Sequence, residues 1–204
     1  MYRVGFVDDD SNAYKDYKKR LSRRDIDLLY IENWHKLSDI TDWILLNAIE
    51  CLIVDHKLTA KYAFHGTKVV AYINSQIPDL PCLILTNYPE DSRNDNLVVK
   101  NLILDRNIMA GDDISEFCDI IKQAVCVFRN RLEIHLSDFE ELINKRKSNK
   151  VNLKEEEDLL HLYKLLKSYG EVDDISSELL KINVNNKVDS LMDKLDRFID
   201  LNRE

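Results

Sequence analysis

Glycine and proline are scarce in this chain, with four and three of its 204 residues. The sequence has no Cys-x-x-Cys pair, which argues against a zinc finger. Residues 123–204 also lack a glycine-rich phosphate loop and a nucleophile elbow, the patterns typical of nucleotide-binding enzymes and serine hydrolases. Its apolar runs are far shorter than the roughly 18 residues that a membrane-spanning helix needs. Met1-Tyr2-Arg3 leads directly into an apolar run, so we expect no signal peptide and no membrane association.

A basic surface is also missing. The chain has 29 Lys and Arg against 37 Asp and Glu, a formal net charge of -8, which argues against general nucleic-acid binding. The cysteines are few and lie in apolar runs, which indicates buried thiols in a reducing, cytoplasmic setting rather than disulfides or a zinc site. These cysteines are Cys51, Cys82, Cys118 and Cys126.

Short apolar runs alternate with helical patterns over residues 1–122. This alternation predicts an α/β domain with a doubly wound, five-stranded parallel sheet. The predicted strands are Tyr2 to Val7, Ile26 to Ile31, Cys51 to Val54, Cys82 to Leu85 and Asn101 to Leu104. The predicted helices are Ser11 to Arg24, capped by Ser11, then Trp34 to Ile49, and a stretch after Gly66. The polar segment from Asn87 to Asn96 supports only a short helix.

Residues 123–204 carry helical patterns and no predicted strand. Gly111 and Asp112 precede one long amphipathic helix that starts near Ile114 and ends at the charged break from Lys145 to Lys150. Asn152 and Glu155 have the spacing of a capping box, and Gly170 is placed to end the helix that follows. A last helical region is predicted from Ile175 to Phe198, with an interruption at Asn183, Asn185 and Asn186. The tail is thus expected to be a helical hairpin or small bundle.

Polar side chains follow three of the predicted strands. Asp8 and Asp9 come after the first, Asp55 after the third and Thr86 after the fourth. Carboxyl ends of parallel strands share one edge of a sheet, so these side chains are expected to meet. Clustered carboxylates need a cation, and hard oxygen ligands suit Mg²⁺. Such a site would leave Asp55 as the nucleophile for an acyl phosphate, with the Thr86 hydroxyl on a phosphoryl oxygen.

This pattern resembles the receiver domain of two-component response regulators, which has a flavodoxin-like fold. The resemblance implies that Asp8 and Asp9 are the acidic pair, that Asp55 is the phospho-acceptor and that Thr86 is the switch hydroxyl. It also implies that Lys57 contributes a backbone carbonyl to Mg²⁺. A cognate histidine kinase or phosphotransfer protein would then be the phosphoryl donor.

The sequence departs from the receiver pattern in two places. The family places a lysine after the fifth strand, whereas Arg106 stands nearest that position and Lys100 is the other candidate. Arg offers a planar fork where Lys offers a compact charge, so the change bears on switch geometry and on dephosphorylation. The Met-Pro pair that usually follows the acceptor is also absent, because the sequence here is Asp55-His56-Lys57-Leu58. His56 itself is interpreted as a loop residue.

The leading interpretation is a phospho-accepting signalling protein, not an enzyme, whose output is protein interaction or dimerisation through the helical tail. A phosphate sink and a phage-defence phosphorelay are settings that such an architecture resembles. One alternative is a scaffold with a receiver fold that works without phosphorylation. Another is an atypical nucleic-acid binder that uses Lys145 to Lys150. A phospho-aspartate hydrolase is disfavoured because Lys57 stands where a second catalytic acid would be needed.

Overall fold

The computed structural model describes residues 1–58, 62, 64–110, 114–148 and 150–172. The chain divides into two compact units, 1–132 and 133–204. This boundary and the predicted one at residues 122 and 123 both fall within one long helix, Ile114–Lys147. The predicted helical region from Ile175 to Phe198 and the residues Gly111 and Asp112 lie outside the described residues.

The first unit contains a five-stranded sheet in which every pairing is parallel. The strand order is β2-β1-β3-β4-β5, which puts β3 at the centre and confirms the predicted doubly wound arrangement. All residues of β3 and β4 are buried, as expected for strands that are covered on both faces. The strands are β1 (Tyr2–Val7), β2 (Ile26–Tyr30), β3 (Cys51–Val54), β4 (Cys82–Thr86) and β5 (Ile103–Asp105).

Six helices accompany these strands along the described chain. They are α1 (Ser11–Ser22), α2 (Leu37–Leu46), α3 (Gly66–Gln76), α4 (Pro89–Asn94), α5 (Ile114–Lys147) and α6 (Leu153–Ser168). One helix cap and one helix start differ from the prediction. Asp10, not Ser11, caps α1, because its carboxylate accepts the Asn12 N–H at 2.9 Å. In α2, Asp39 accepts the N–H groups before Leu37, so the chain there forms a turn rather than helix.

The fifth strand is shorter and later than predicted. A 3₁₀ turn over Lys100–Leu102 precedes it, closed by a 2.9 Å hydrogen bond from the Leu102 N–H to the Val99 carbonyl. The strand itself runs from Ile103 to Asp105, and Thr86 pairs in register with Asp105. This shift puts Arg106 immediately after the strand, at the carboxyl edge of the sheet.

The core of the first unit joins the sheet to the buried face of α5. Phe117, Ile121 and Val125 are fully buried in the same apolar cluster as β1 and β3 residues. Burial of each such side chain contributes roughly 1.5–3 kcal/mol. The thiols of Cys51, Cys82 and Cys118 are also buried, whereas Cys126, predicted to be a core residue, is exposed on α5. The core therefore fixes the strand ends at which the polar side chains lie.

In the second unit, the predicted helix signals have the expected geometry. Asn152 and Glu155 form the capping box of α6, since each side chain accepts the other residue's backbone N–H. The helix ends beside Gly170, whose φ of 76° suits glycine, and the Glu171 N–H donates to the Leu166 carbonyl. Among the described residues, no helix combines the length and apolar character required to cross a bilayer.

Gly66 brings α3 close to the loop that follows β3. Its N–H donates to the His56 carbonyl at 2.8 Å, and a Cβ at this position would overlap the carbonyl oxygen of Asp55. We expect Gly66→Ala to lower the free energy of unfolding by at least about 1–3 kcal/mol, because backbone atoms must move to make room. Urea unfolding followed by circular dichroism measures this loss. Ser75→Ala, on the exposed side of α3, is the control; equal stability of the two variants would contradict the close-contact explanation.

Candidate functional site

Three carboxylates converge at the carboxyl edge of the sheet. Asp8 follows β1 and Asp55 follows β3, and the register of these neighbouring strands pairs Val7 with Val54. The Asp55 N–H extends this ladder by donating to the Val7 carbonyl at 2.8 Å. Carboxylate oxygens of Asp8, Asp9 and Asp55 all lie within 4.8 Å of one another. Strand pairing therefore brings together residues that are far apart in sequence.

Arg106 forms a bridge between two of these carboxylates. Its Nη2 lies 2.8 Å from Asp8 Oδ2 and 2.8 Å from Asp55 Oδ1. The same nitrogen lies 3.4 Å from the Leu85 carbonyl oxygen, and the guanidinium carbon is 6.0 Å from the centre of the Tyr17 ring. The side chain of Arg106 is only 17% exposed. One partly buried cation thus contacts two buried carboxylates and offsets part of their negative charge.

Asp8 is the most buried of the three acids. Its Oδ1 accepts the Asp10 N–H at 2.8 Å, and the Tyr30 hydroxyl donates to its backbone carbonyl at 2.9 Å. Burial raises the pKa of Asp8 to about 6, although the Asp10 N–H and the charge of Arg106 oppose this rise. Asp8 consequently binds a proton far more readily than an exposed aspartate does.

The carboxylate of Asp55 is held at both oxygens. Oδ1 contacts Arg106, and Oδ2 accepts the Lys57 N–H at 3.0 Å. Burial raises the pKa of Asp55, and the Arg106 charge opposes the shift. The Lys57 ammonium lies 3.3 Å from the centre of the Tyr88 ring and 3.8 Å from Asp91. The structure thus puts Lys57 beside the acids, and the role of its carbonyl as a metal ligand stays a prediction.

Thr86 ends β4, next to β3 in the sheet. It is fully buried, and its Oγ1 accepts the Tyr88 N–H at 3.1 Å. Tyr88 in turn carries the ring beneath the Lys57 ammonium. The loop after β4 is thereby connected to the loop after β3. The role of Thr86 as a switch hydroxyl stays a prediction.

The carboxylate trio has the donor chemistry that Mg²⁺ requires. Mg²⁺ binds hard oxygen ligands and keeps several waters, and two of these three carboxylates are buried and hence costly to leave ionised without a cation. Asp8, Asp9 and Asp55 would hold such an ion. When bound, Mg²⁺ supplies positive charge that draws a phosphoryl group to the carboxylate edge and offsets its negative oxygens.

Some contributors to this site were not assigned a role from the sequence. The Tyr17 ring on α1 lies beside Arg106, and Tyr30, within the predicted second strand, donates its hydroxyl to the Asp8 carbonyl. The pairing of Phe6 with Tyr30 explains why the hydroxyl reaches the end of β1. Between the two candidate cations, Arg106 reaches the carboxylates, whereas Lys100 is exposed in the 3₁₀ turn.

Comparison with known proteins shows what this architecture is similar to. No family model matches the chain, and no curated protein sequence matches it. Solved structures do match. A signal receiver domain of an HD domain-containing protein from Pseudomonas fluorescens Pf-5 has a TM-score of 0.52 at 16% identity, covering 65% of this chain and 92% of that one. A response regulator receiver domain from Clostridium thermocellum has a TM-score of 0.50 at 19% identity, covering 65% and 98%.

A third match is to NtrX from Brucella abortus, with a TM-score of 0.52 at 14% identity, covering 68% of this chain and 30% of that protein. The first unit has the receiver fold. In that fold the sheet order β2-β1-β3-β4-β5 puts Asp8 and Asp55 on adjacent strands. The predicted fold class is confirmed, with long helices following the sheet.

The raised pKa of Asp8 in the receiver fold gives a test by pH. An acid with a folded pKa of about 6 and an unfolded value of 3.8 stabilises the fold fully below the unfolded value. That contribution is lost as pH rises through about 6. Asparagine does not titrate, so the free energy of unfolding of Asp8→Asn should not fall in this way. We expect it to increase relative to that of the wild type, by on the order of 2–3 kcal/mol, as pH rises from 3.8 through about 6.

The measurement is urea unfolding at several pH values in EDTA. Asp42→Asn, at an exposed position in α2, is the control and should give no such trend. A stability difference between Asp8→Asn and wild type that is independent of pH would contradict the burial of an ionised Asp8.

Proposed function

We propose that this protein is a phospho-accepting signalling protein and that Asp55 receives the phosphoryl group. The observation that carries the proposal is the convergence of the Asp8, Asp9 and Asp55 carboxylates beside Arg106. Mg²⁺ would be held by these acids together with the Lys57 backbone carbonyl. Two-component signalling is the context that the receiver fold supports, and a histidine kinase or phosphotransfer protein would be the donor.

The proposed reaction is transfer from a phosphohistidine. A carboxylate oxygen of Asp55 attacks phosphorus, the P–N bond breaks, and the imidazole nitrogen takes the electron pair and a proton. The product is an acyl phosphate with more negative charge than the carboxylate. Arg106 lies 2.8 Å from Asp55, so its guanidinium is close enough to pair with the added phosphoryl charge. The Thr86 hydroxyl would donate to a phosphoryl oxygen.

We further propose that output passes through the C-terminal extension, residues 123–204, which includes the second unit, by contact with a partner protein or with a second copy. Within this unit, α6 buries Leu159 and Leu166, so its apolar face is used for packing. Lys145 pairs with Glu141 at 2.7 Å and lies 3.4 Å from Glu155. Because these acids neutralise Lys145, the basic stretch from Lys145 to Lys150 favours a protein partner over nucleic acid.

A specific observation also favours the scaffold alternative. Arg106 pairs with both Asp8 and Asp55 and offsets part of their negative charge, so these acids have a paired state that does not depend on phosphate. A phosphorylation-independent scaffold would remain in this state. Under that alternative, Asp55→Asn would leave partner binding unchanged.

Intact-mass measurement after incubation with acetyl phosphate and Mg²⁺ separates the two functions. We expect the mass of the wild type to increase by one phosphoryl group in Mg²⁺ and not to increase in EDTA, because the carboxylates repel a phosphate unless a cation offsets their charge. Asp55→Asn should gain nothing, whereas the exposed control Asp42→Asn should behave as wild type. A wild type that gains no mass, or an Asp55→Asn variant that gains as much, would contradict the proposal.

A further inference from the structure

A second group of ligating side chains lies next to the carboxylate site. It contains His56, in the loop after β3, His65, which caps α3, and Asp95, which follows α4. The Nδ1 atoms of His56 and His65 lie 3.8 Å and 3.4 Å from the same Asp95 oxygen, Oδ2. The two imidazole rings have centroids 4.5 Å apart. The segment between β3 and α3 and the end of α4 thus bring two nitrogens and one carboxylate close together.

His56 is the observation that points to a ligand. Its side chain is 1% exposed, and neither ring nitrogen has a hydrogen-bond partner among the described residues. Buried polar atoms in proteins are nearly always paired, and leaving one unpaired costs about 1–3 kcal/mol. A ring nitrogen that faces His65 and Asp95 without a hydrogen bond is therefore best explained by a group that binds all three.

We propose that His56, His65 and Asp95 bind a divalent transition-metal ion of the Zn²⁺ class. Zn²⁺ binds imidazole and carboxylate ligands at about 2.0–2.2 Å in a tetrahedron, which sets its ligand atoms roughly 3.3 Å apart. The separations of 3.4 Å and 3.8 Å are close to that spacing. Three protein ligands leave the fourth position for water or another small ligand.

The surroundings of Asp95 support this site. The Thr67 hydroxyl donates to Asp95 Oδ2 at 2.6 Å, and Thr67 is buried in α3. A hydrogen bond of this kind orients a ligating carboxylate. The nitrogen donors also separate this site from the acidic trio, because imidazole suits Zn²⁺ whereas Mg²⁺ takes oxygen ligands. The two sites therefore select different ions, although His56 directly follows Asp55.

Metal binding here would connect the end of α4 to the loop that carries Asp55. His56 belongs to that loop, and Asp95 follows the last residue of α4. An ion bound by both His56 and Asp95 would restrict movement of the end of α4 relative to β3. The inference does not depend on phosphorylation of Asp55, so either proposal can fail without the other.

Cobalt substitution gives the most direct test. Metal-free full-length protein is titrated with Co²⁺ in excess Mg²⁺, which occupies oxygen-only sites, and visible absorption reports tetrahedral coordination. We expect one equivalent to bind and Zn²⁺ to displace it. His65→Ala removes an exposed ligand and should abolish the tetrahedral spectrum, while Thr67→Val should weaken binding by roughly 10- to 100-fold.

Two control variants complete the design. His35→Ala removes an exposed histidine elsewhere, and Asp9→Asn alters the carboxylate trio; both should bind Co²⁺ as the wild type does. Circular dichroism of each variant verifies folding. The proposal is overturned if the wild type gives no tetrahedral spectrum, if His65→Ala retains it, or if Asp9→Asn loses it while remaining folded.

Discussion

A single guanidinium nitrogen of Arg106 connects the carboxyl ends of the adjacent strands β1 and β3. Arg106 Nη2 contacts Asp8 after β1 and Asp55 after β3, and both acids are buried. Without this cation, two negative charges would share a poorly solvated edge, a situation that typically costs 3–5 kcal/mol when a partner is removed. The same carboxylates are the proposed ligands of Mg²⁺. A bound Mg²⁺ would therefore compete with the guanidinium for one set of oxygens, and this competition would determine which state the site adopts.

The positions of the central strands and the convergence of acids were predictable from sequence because they depend on local pattern and on a general rule. Apolar runs such as Cys51–Val54 are short and uninterrupted, and the carboxyl ends of parallel strands must share an edge. The fifth strand was less predictable, since a 3₁₀ turn occupies Lys100–Leu102 and shifts the strand. Ser11 was wrongly assigned as a cap because Asp10, beside it, is an equally good one.

The contacts of single side chains were beyond sequence reasoning. The predicted lysine position was filled by Arg106, but its double contact depends on the register of β5 and on burial beside Tyr17. His56 was interpreted as a loop residue, because nothing local reveals that its ring is buried near His65 and Asp95. These contacts join residues that are far apart in sequence, and only the folded chain defines them.

Calorimetric titration of Mg²⁺ into metal-free protein tests whether Arg106 and Mg²⁺ compete for the carboxylates. Removal of the guanidinium leaves the carboxylates without their cation, so Arg106→Ala should bind Mg²⁺ at least about tenfold more tightly than the wild type. Arg129→Ala, which breaks an exposed pair with Glu50, should bind as the wild type does. Equal or weaker Mg²⁺ binding by a folded Arg106→Ala variant would show that the guanidinium and Mg²⁺ do not compete for these carboxylates.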